Sequence, residues 1–160
     1  CRHCVEARGT GAPHKKGPEG KVPVISCDYL LVTRKGVFTK DELDNSDGGD
    51  IVLKILVVKD AASRYIGAHV VPVKGLGEDR YAAEKVRRDV LWLGYSRVIL
   101  KSDNEPSLMA VVREALKGLK VDIVDAMPAN PAPYDSKASG GVENAARQAQ
   151  GMIRCLNFCL

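Results

Sequence analysis

The chain has 160 residues and a formal net charge of +4, with 45% hydrophobic and 28% charged residues. These values fit one compact α/β domain that can bury a core without disulfide support. Five cysteines are an odd number and too sparse for a secreted disulfide scaffold, and no apolar run is long enough to span a membrane. We therefore expect a soluble protein of a reducing compartment that makes no membrane contact.

The first 21 residues combine glycines and prolines with arginine and lysine, a composition that favours a basic linker. From Val22 to Thr33 the chain is apolar and β-branched, which predicts a buried strand with Asp28 in its middle. Residues 34–50 hold acidic and turn-forming residues, which predicts a surface hairpin loop. Two more apolar runs, 51–59 and 65–73, complete a predicted three-strand meander.

A helical period follows, with apolar residues up to Leu93 and Gly94 as its cap. We predict a fourth strand over 97–102 and a second helix that begins at Pro106 and ends near Gly118 and Lys120. A fifth strand is predicted over 121–126. A segment rich in proline, serine and glycine then leads to a last helix from about Val142.

The predicted order is three strands, helix, strand, helix, strand, loop and helix. An antiparallel meander extended by right-handed crossovers to parallel strands satisfies this order. The sequence therefore predicts an α/β domain of the ribonuclease-H-like class, with a five-stranded mixed sheet flanked by helices.

Two aspartates occupy unusual positions in these elements. Asp28 interrupts an apolar strand, where a charge is costly to bury unless cations or hydrogen-bond donors hold it. Asp103 follows the fourth strand at its carboxyl end, where open sheets present ligands. A solvent-facing position for Asp28 and a helix-entry role for Asp103 are the structural alternatives.

The last helix has a polar stripe that contains Glu143, Arg147, Gln150 and Arg154. For Gln150 and Arg154, simple exposure to solvent explains this stripe as readily as contact with DNA does. We favour a functional role for Glu143, because the preceding Gly140-Gly141 allows backbone to approach a phosphate or metal closely.

Four segments resemble successive blocks of retroviral and retrotransposon integrase cores. They are Ser26-Cys-Asp-Tyr, Ile55-Leu-Val-Val-Lys-Asp60 followed by Ser63-Arg-Tyr, Ser102-Asp-Asn, and Ser139-Gly-Gly-Val-Glu-Asn144. Each block alone is weakly specific, but together they occur in the family's order across residues 22–160. The resemblance therefore defines two regions: 1–21 as the end of a zinc-binding module with a basic linker, and 22–160 as an integrase catalytic core truncated at its C-terminus.

The resemblance implies that Asp28, Asp103 and Glu143 form the DDE triad and hold two Mg²⁺ or Mn²⁺ ions. It further implies metal-dependent processing of 3′ ends and strand transfer into target DNA. The expected partners are double-stranded DNA, as element ends and target, and further copies of the chain. The expected location is the nucleus, after synthesis in the cytoplasm as part of a polyprotein.

The resemblance also suggests supporting roles for other residues. Arg147, Gln150, Lys101 and Arg154 would contact DNA phosphates with little base reading. Asp60 corresponds to a family position outside the triad, and we expect a structural role for it.

Cys1 and Cys4 resemble the closing half of the zinc module that precedes such cores. Two cysteines cannot complete a four-ligand zinc site, so Zn²⁺ is expected only in a longer protein that supplies the upstream histidines. His3 and His14 are poorly placed substitutes. The remaining histidine and cysteines are expected to pack in the fold, namely His69, Cys27, Cys155 and Cys159.

The chain departs from the family pattern in three places. Glu105 stands where glycine is common, the segment between Asp103 and Glu143 is longer than in compact retroviral members, and Asp135 replaces a commonly basic or polar residue. None of these changes removes a triad carboxylate, but each alters the loops around it.

Three alternative interpretations remain open at this point. A ribonuclease H or related nuclease of the same fold would use a carboxylate on the first helix, such as Glu78 or Glu84. A catalytically silent, integrase-derived module would bind DNA or protein without divalent metal. An unrelated α/β binding domain would make the four blocks coincidental.

Overall fold

A computed structural model describes residues 22–33, 36–38, 53–129 and 140–159. Apolar and β-branched runs form the strands, and the apolar stripes form the helices. In chain order the elements are β1 (Val24–Thr33), β2 (Gly36–Phe38), β3 (Leu53–Asp60), β4 (Ile66–Val71), α1 (Tyr81–Leu93), β5 (Arg97–Ser102), α2 (Pro106–Asp122), β6 (Asp125–Ala129) and α3 (Gly140–Cys159).

The strands of the sheet have the order β4-β3-β1-β5-β6. The short strand β2 pairs with β1 and is not part of this order. The strands β1, β3 and β4 form the antiparallel meander, with Asp28 opposite Val57 in the β1–β3 register. β5 is parallel to β1, and β6 is parallel to β5. This mixed sheet with flanking helices confirms the predicted α/β architecture, which is consistent with a ribonuclease-H-like fold.

The two faces of the sheet carry separate hydrophobic clusters. The first face packs against α1 and α2, and its cluster includes Ile25, Leu56 and Leu100 from the strands with Val86 and Leu108 from the helices. The second face packs against α3 through Leu30, Val32, Ile55, Val57, Ala145 and Ala149. Because side chains alternate along a strand, neighbouring residues of β1 belong to different clusters.

The predicted end of the second helix was wrong. α2 continues to Asp122, and the N–H of Ile123 still donates to the carbonyl of Leu119. Gly118 lies inside the helix, where the lack of a side chain allows α1 to approach closely. A Cβ at this position would be 2.8 Å from Arg87 Cδ. The last strand is consequently β6, not the predicted 121–126, and Val121 is 87% exposed.

The prediction of a loop over 34–50 was also wrong in part. Gly36–Phe38 pairs with the end of β1, in the register Thr33 with Gly36. The rest of that segment lies outside the described residues, as do 1–21 and 130–139, which include Cys1, Cys4 and Asp135.

The strand β6 accommodates Pro128 because, among the described strands, it pairs with β5 alone. Among the described residues, no helix combines the length and apolarity that crossing a membrane requires.

Candidate active site

The parallel pairing of β1 with β5 brings Asp28 and Asp103 to the same level of the sheet. The last pair of this register is Cys27 with Ser102, and each aspartate is the next residue along its chain. The two carboxylates therefore leave neighbouring backbones where the β1–β5 pairing ends. We call this region the carboxylate edge.

Asp28 lies on the α3 face of β1. Its neighbours Cys27 and Tyr29 contact the α1/α2 cluster, whereas Leu30 belongs to the α3 cluster, so alternation directs Asp28 toward α3. Its Oδ1 accepts a hydrogen bond of 2.7 Å from the N–H of Tyr29.

Three other carboxylates act on Asp28. Burial raises the pKa of Asp28 to about 6, the hydrogen bond from Tyr29 opposes this rise, and the charges of Asp103, Glu105 and Glu143 add to it. The structure therefore brings Asp103 and Glu143 within electrostatic range of Asp28, together with Glu105.

Asp103 and Glu143 are exposed in this structure. Asp103 Oδ1 accepts from the N–H of Asn104 at 2.7 Å. Glu143 lies in the first turn of α3, where the helix dipole favours negative charge. The neighbouring Val142 and the alanines of the α3 cluster are buried, which fixes this turn against the sheet.

Carboxylate oxygens suit Mg²⁺ or Mn²⁺, and a divalent cation would offset the repulsion among these side chains. Within the described residues, however, no three His, Cys, Asp or Glu side chains are close enough together to hold a metal ion. The donor chemistry at the carboxylate edge thus fits a cation, while the present side-chain arrangement does not assemble its ligands.

The predicted phosphate contacts lie on the same side of the sheet. Lys101 is half-buried in β5 and alternates with Leu100 and Ser102, so it belongs to the α3 face. Arg147 is exposed one helical turn after Glu143, and Gln150 is half-buried further along α3. Arg154 belongs to α3, but its side chain lies outside the described part.

The structure reveals an ion pair beside the carboxylate edge that local sequence patterns cannot show. Lys74 Nζ lies 3.1 Å from Glu105 Oε1 and 3.4 Å from Oε2. The same ammonium group lies 5.2 Å from the centroid of the Tyr29 ring. Glu105 Oε1 also accepts from the Ser107 hydroxyl at 2.6 Å. The sequence flagged Glu105 as a departure, but its partner is 31 residues away.

The carboxylates proposed for a ribonuclease H reading lie elsewhere. Glu84 is exposed on α1, whose buried side packs against the face of the sheet opposite α3. Arg87 Nη1 lies 3.1 Å from Glu84 Oε2, and Arg87 Nε lies 2.8 Å from Asp122 Oδ2. Glu78 is exposed in the segment before α1. Neither is among the groups that raise the pKa of Asp28.

Asp60 has the contacts of a turn-stabilising residue. It accepts from the N–H groups of Ala62 and Ser63 and from the Tyr95 hydroxyl, at 3.2, 2.7 and 2.7 Å. Burial alone would raise the pKa of Asp60, but the hydrogen bonds from Ser63, Tyr95 and Ala62 outweigh it and lower the pKa. These contacts agree with the structural role expected for it.

His69 does more than pack. Its Nε2 lies 2.7 Å from Asp89 Oδ2, and the Tyr65 hydroxyl donates to Asp89 Oδ1 at 3.1 Å. Cys27 is buried, as expected, and burial raises the pKa of its thiol to about 12, with Asp89 and Asp28 adding to the effect. Such a thiol is inert at neutral pH.

No protein family model and no curated protein matches this chain. Among solved structures, it is similar to a chain of the simian T-cell lymphotropic virus intasome in complex with PP2A regulatory subunit B56 gamma. The identity is 14%, the TM-score is 0.44, and the match covers 80% of this chain and 41% of the other. This chain thus spans less than half of the matched chain, and a likeness of this size carries no argument about function.

Proposed function

We propose that this chain is the catalytic core of a retroelement integrase, with Asp28, Asp103 and Glu143 as its catalytic carboxylates. One observation carries the proposal: Asp28 and Asp103 follow paired residues of two neighbouring parallel strands, on the sheet face that packs against α3, and Glu143 lies in the first turn of α3. The four sequence blocks point to the same three residues. Carboxylates that repel one another at a sheet edge suggest a site built to receive cations.

The proposed reaction is phosphodiester exchange in two steps. Water first attacks a phosphodiester near the end of the element's DNA and releases a short 3′ fragment. The new 3′-hydroxyl then attacks a phosphodiester of the target, joins the two DNAs and releases a target 3′-hydroxyl. Two Mg²⁺ or Mn²⁺ ions, when bound, would supply charge stabilisation for the entering and leaving oxygens.

The chain's own residues would hold and orient the reactants. Asp28, Asp103 and Glu143 would hold the ions, and no covalent bond to the protein is needed. Lys101 and Arg147 would bind phosphates, with Gln150 and Arg154 extending this contact along α3.

The wider setting follows from the same proposal. The partners would be double-stranded element ends and target DNA, and a homo-oligomer would hold two ends at once. The protein would be made in the cytoplasm within a polyprotein and act in the nucleus. Zn²⁺ would bind Cys1 and Cys4 only together with further ligands, because two cysteines cannot complete a four-ligand site.

A strand-transfer assay on the full-length protein tests the proposal. Labelled element-end DNA should become covalently joined to target DNA in Mg²⁺, and Asp103→Asn or Glu143→Gln should reduce the product at least about 100-fold. Glu84→Gln is the matched control, because it removes a carboxylate that only the nuclease reading requires. Equal product from the wild type and both triad variants would exclude the triad. Cleavage without any joining, lost in Glu84→Gln, would favour the nuclease.

One observation favours a second candidate, a silent integrase-like module that binds nucleic acid. The described residues contain no ready-formed group of three metal ligands. Such a module would bind duplex DNA equally well in EDTA and in Mg²⁺, and Asp28→Asn would leave its affinity unchanged. Metal-dependent joining by the wild type would reject this candidate.

A further inference from the structure

Glu105 adds a fourth negative charge to the carboxylate edge. It caps the N-terminus of α2, two residues after Asp103, and its backbone carbonyl accepts from the N–H groups of Leu108 and Met109. Its carboxylate is only partly exposed, with 28% of the side chain accessible. A charge fixed at this position acts on Asp28 and would oppose the approach of a phosphate.

Lys74 is held against this carboxylate from a second direction. Its ammonium group contacts both Glu105 oxygens, and 23% of its side chain is accessible. The Tyr29 ring lies beneath the ammonium group, and the Tyr29 hydroxyl accepts from the N–H of Gly75 at 3.0 Å. Lys74 is therefore anchored to the residue that follows Asp28 in β1, at the same time as it pairs with Glu105.

The geometry points to Lys74 as a positioning residue that neutralises Glu105, so that the carboxylate edge presents three effective negative charges rather than four. This inference rests on the proposed function, because it concerns how that site balances attraction for divalent cations against repulsion of DNA. Loss of Lys74 removes one positive charge from beside Glu105, which would strengthen the attraction for a cation and the repulsion of a phosphate. The two effects have opposite signs.

A purely structural role for the pair predicts a different pattern. If Lys74 and Glu105 only fastened the segment after β4 to α2, loss of either residue would loosen the turn that carries Asp103. A loosened site would bind cations and DNA more weakly together. Removing both residues would then be at least as harmful as removing one.

The experiment compares Lys74→Met, Glu105→Gln and the double variant with the wild type, all as full-length protein. Mn²⁺ affinity is measured by electron paramagnetic resonance, and affinity for a fluorescein-labelled DNA duplex by anisotropy in EDTA. Lys74→Met should bind Mn²⁺ about three- to tenfold more tightly and DNA about three- to tenfold more weakly. The double variant should return both affinities to within about twofold of wild type, because it removes both charges.

Arg80→Met is the matched control. Arg80 lies in the same segment before α1 and pairs with Glu114 of α2 at 2.6 Å, but its side chain is 68% exposed. The Arg80→Met substitution removes one positive charge and one ion pair with α2. The affinities for Mn²⁺ and DNA should both change less than about twofold.

The inference is overturned if Lys74→Met leaves both affinities unchanged, weakens both, or is not rescued by Glu105→Gln, and also if the wild type binds neither ligand. Failure of the proposed function has a separate signature. The wild type would then join no DNA ends, while the opposite shifts in Mn²⁺ and DNA affinity and their rescue would remain.

Discussion

The two faces of the sheet are built from the same strands but treat polar groups differently. On the α1/α2 face the cluster is extensive, and the buried Asp89 is held by Tyr65 and His69. On the α3 face the described cluster is smaller, and Asp28 lies beside it, near the carboxylates of Asp103, Glu105 and Glu143. The first face has the features that stabilise a fold, whereas the second keeps a costly charge at the place where function is proposed.

This contrast predicts that core truncation is most costly on the α1/α2 face. Leu100→Ala removes a fully buried side chain from the larger cluster and should lower the free energy of unfolding by about 3 to 4 kcal/mol. Leu30→Ala on the α3 face should cost about 2 kcal/mol, because its cluster is smaller among the described residues. Urea denaturation measures both values. Equal costs would show that the two clusters are equally well packed.

On the α1/α2 face, the hydrogen-bonded Asp89 leaves no room for a side chain at Gly67. A Cβ at Gly67 would lie 2.5 Å from Asp89 Oδ2 and 3.1 Å from His69 Nε2. Gly67→Ala should therefore cost about 2 kcal/mol, since the Asp89 network must shift or break.

Gly140→Ala provides the control for Gly67→Ala. A Cβ at Gly140, at the start of α3, would meet none of the described atoms within 4 Å. This change should alter the free energy of unfolding by less than about 1 kcal/mol. If Gly67→Ala were as mild as Gly140→Ala in thermal denaturation, the network would be looser than its distances indicate.

The charge of Asp28 on the α3 face costs stability, so a variant that removes this charge should stabilise the protein. Asp28→Asn should raise the free energy of unfolding by about 1 to 2 kcal/mol at pH 7 in EDTA, because it removes a charge that the folded state disfavours. The folded pKa of about 6 lies above the ordinary value of 3.8. The gain should therefore be complete above about pH 6 and absent below pH 3.8, where both states carry a neutral Asp28.

Urea denaturation from pH 3.5 to 7.5 checks this pH dependence. Asp103→Asn is the control, because its exposed side chain should change stability by less than about 0.5 kcal/mol at any of these pH values. A stabilisation by Asp28→Asn that did not depend on pH would mean that charge is not its cause.

Most of the fold could be predicted from the sequence because hydrophobic period determines the elements. The β1 run and the stripes of α1 and α2 have distinct periods, and their order restricts the topology. The end of α2 was missed because Gly118 has the residue type of a stop signal, yet serves close packing against Arg87. The pairing of β2 with β1 was missed because three residues carry no usable period.

The candidate site was predictable only where it depends on strand position. Asp28 within β1 and Asp103 after β5 follow from local patterns, since parallel neighbours end at one edge of a sheet. Their catalytic role and that of Glu143 stay predictions. The Lys74–Glu105 pair and the Asp89 network depend on how distant segments meet, and no local spacing encodes such contacts.

Ser102 gives the smallest test of the contrast, because it is the exception on the α1/α2 face. Within the described residues its buried Oγ has no hydrogen-bond partner, and it lies beside Cys27 in the β1–β5 register. Ser102→Ala should therefore leave stability unchanged or raise it by about 0.5 to 1 kcal/mol, because an unsatisfied hydroxyl is removed. Ser107→Ala, which loses a hydrogen bond to Glu105, should instead cost about 0.5 to 1 kcal/mol. Urea denaturation of the two variants compares the serines on either side of Asp103. A lower free energy of unfolding for Ser102→Ala would mean that the Ser102 hydroxyl has a hydrogen-bond partner in solution.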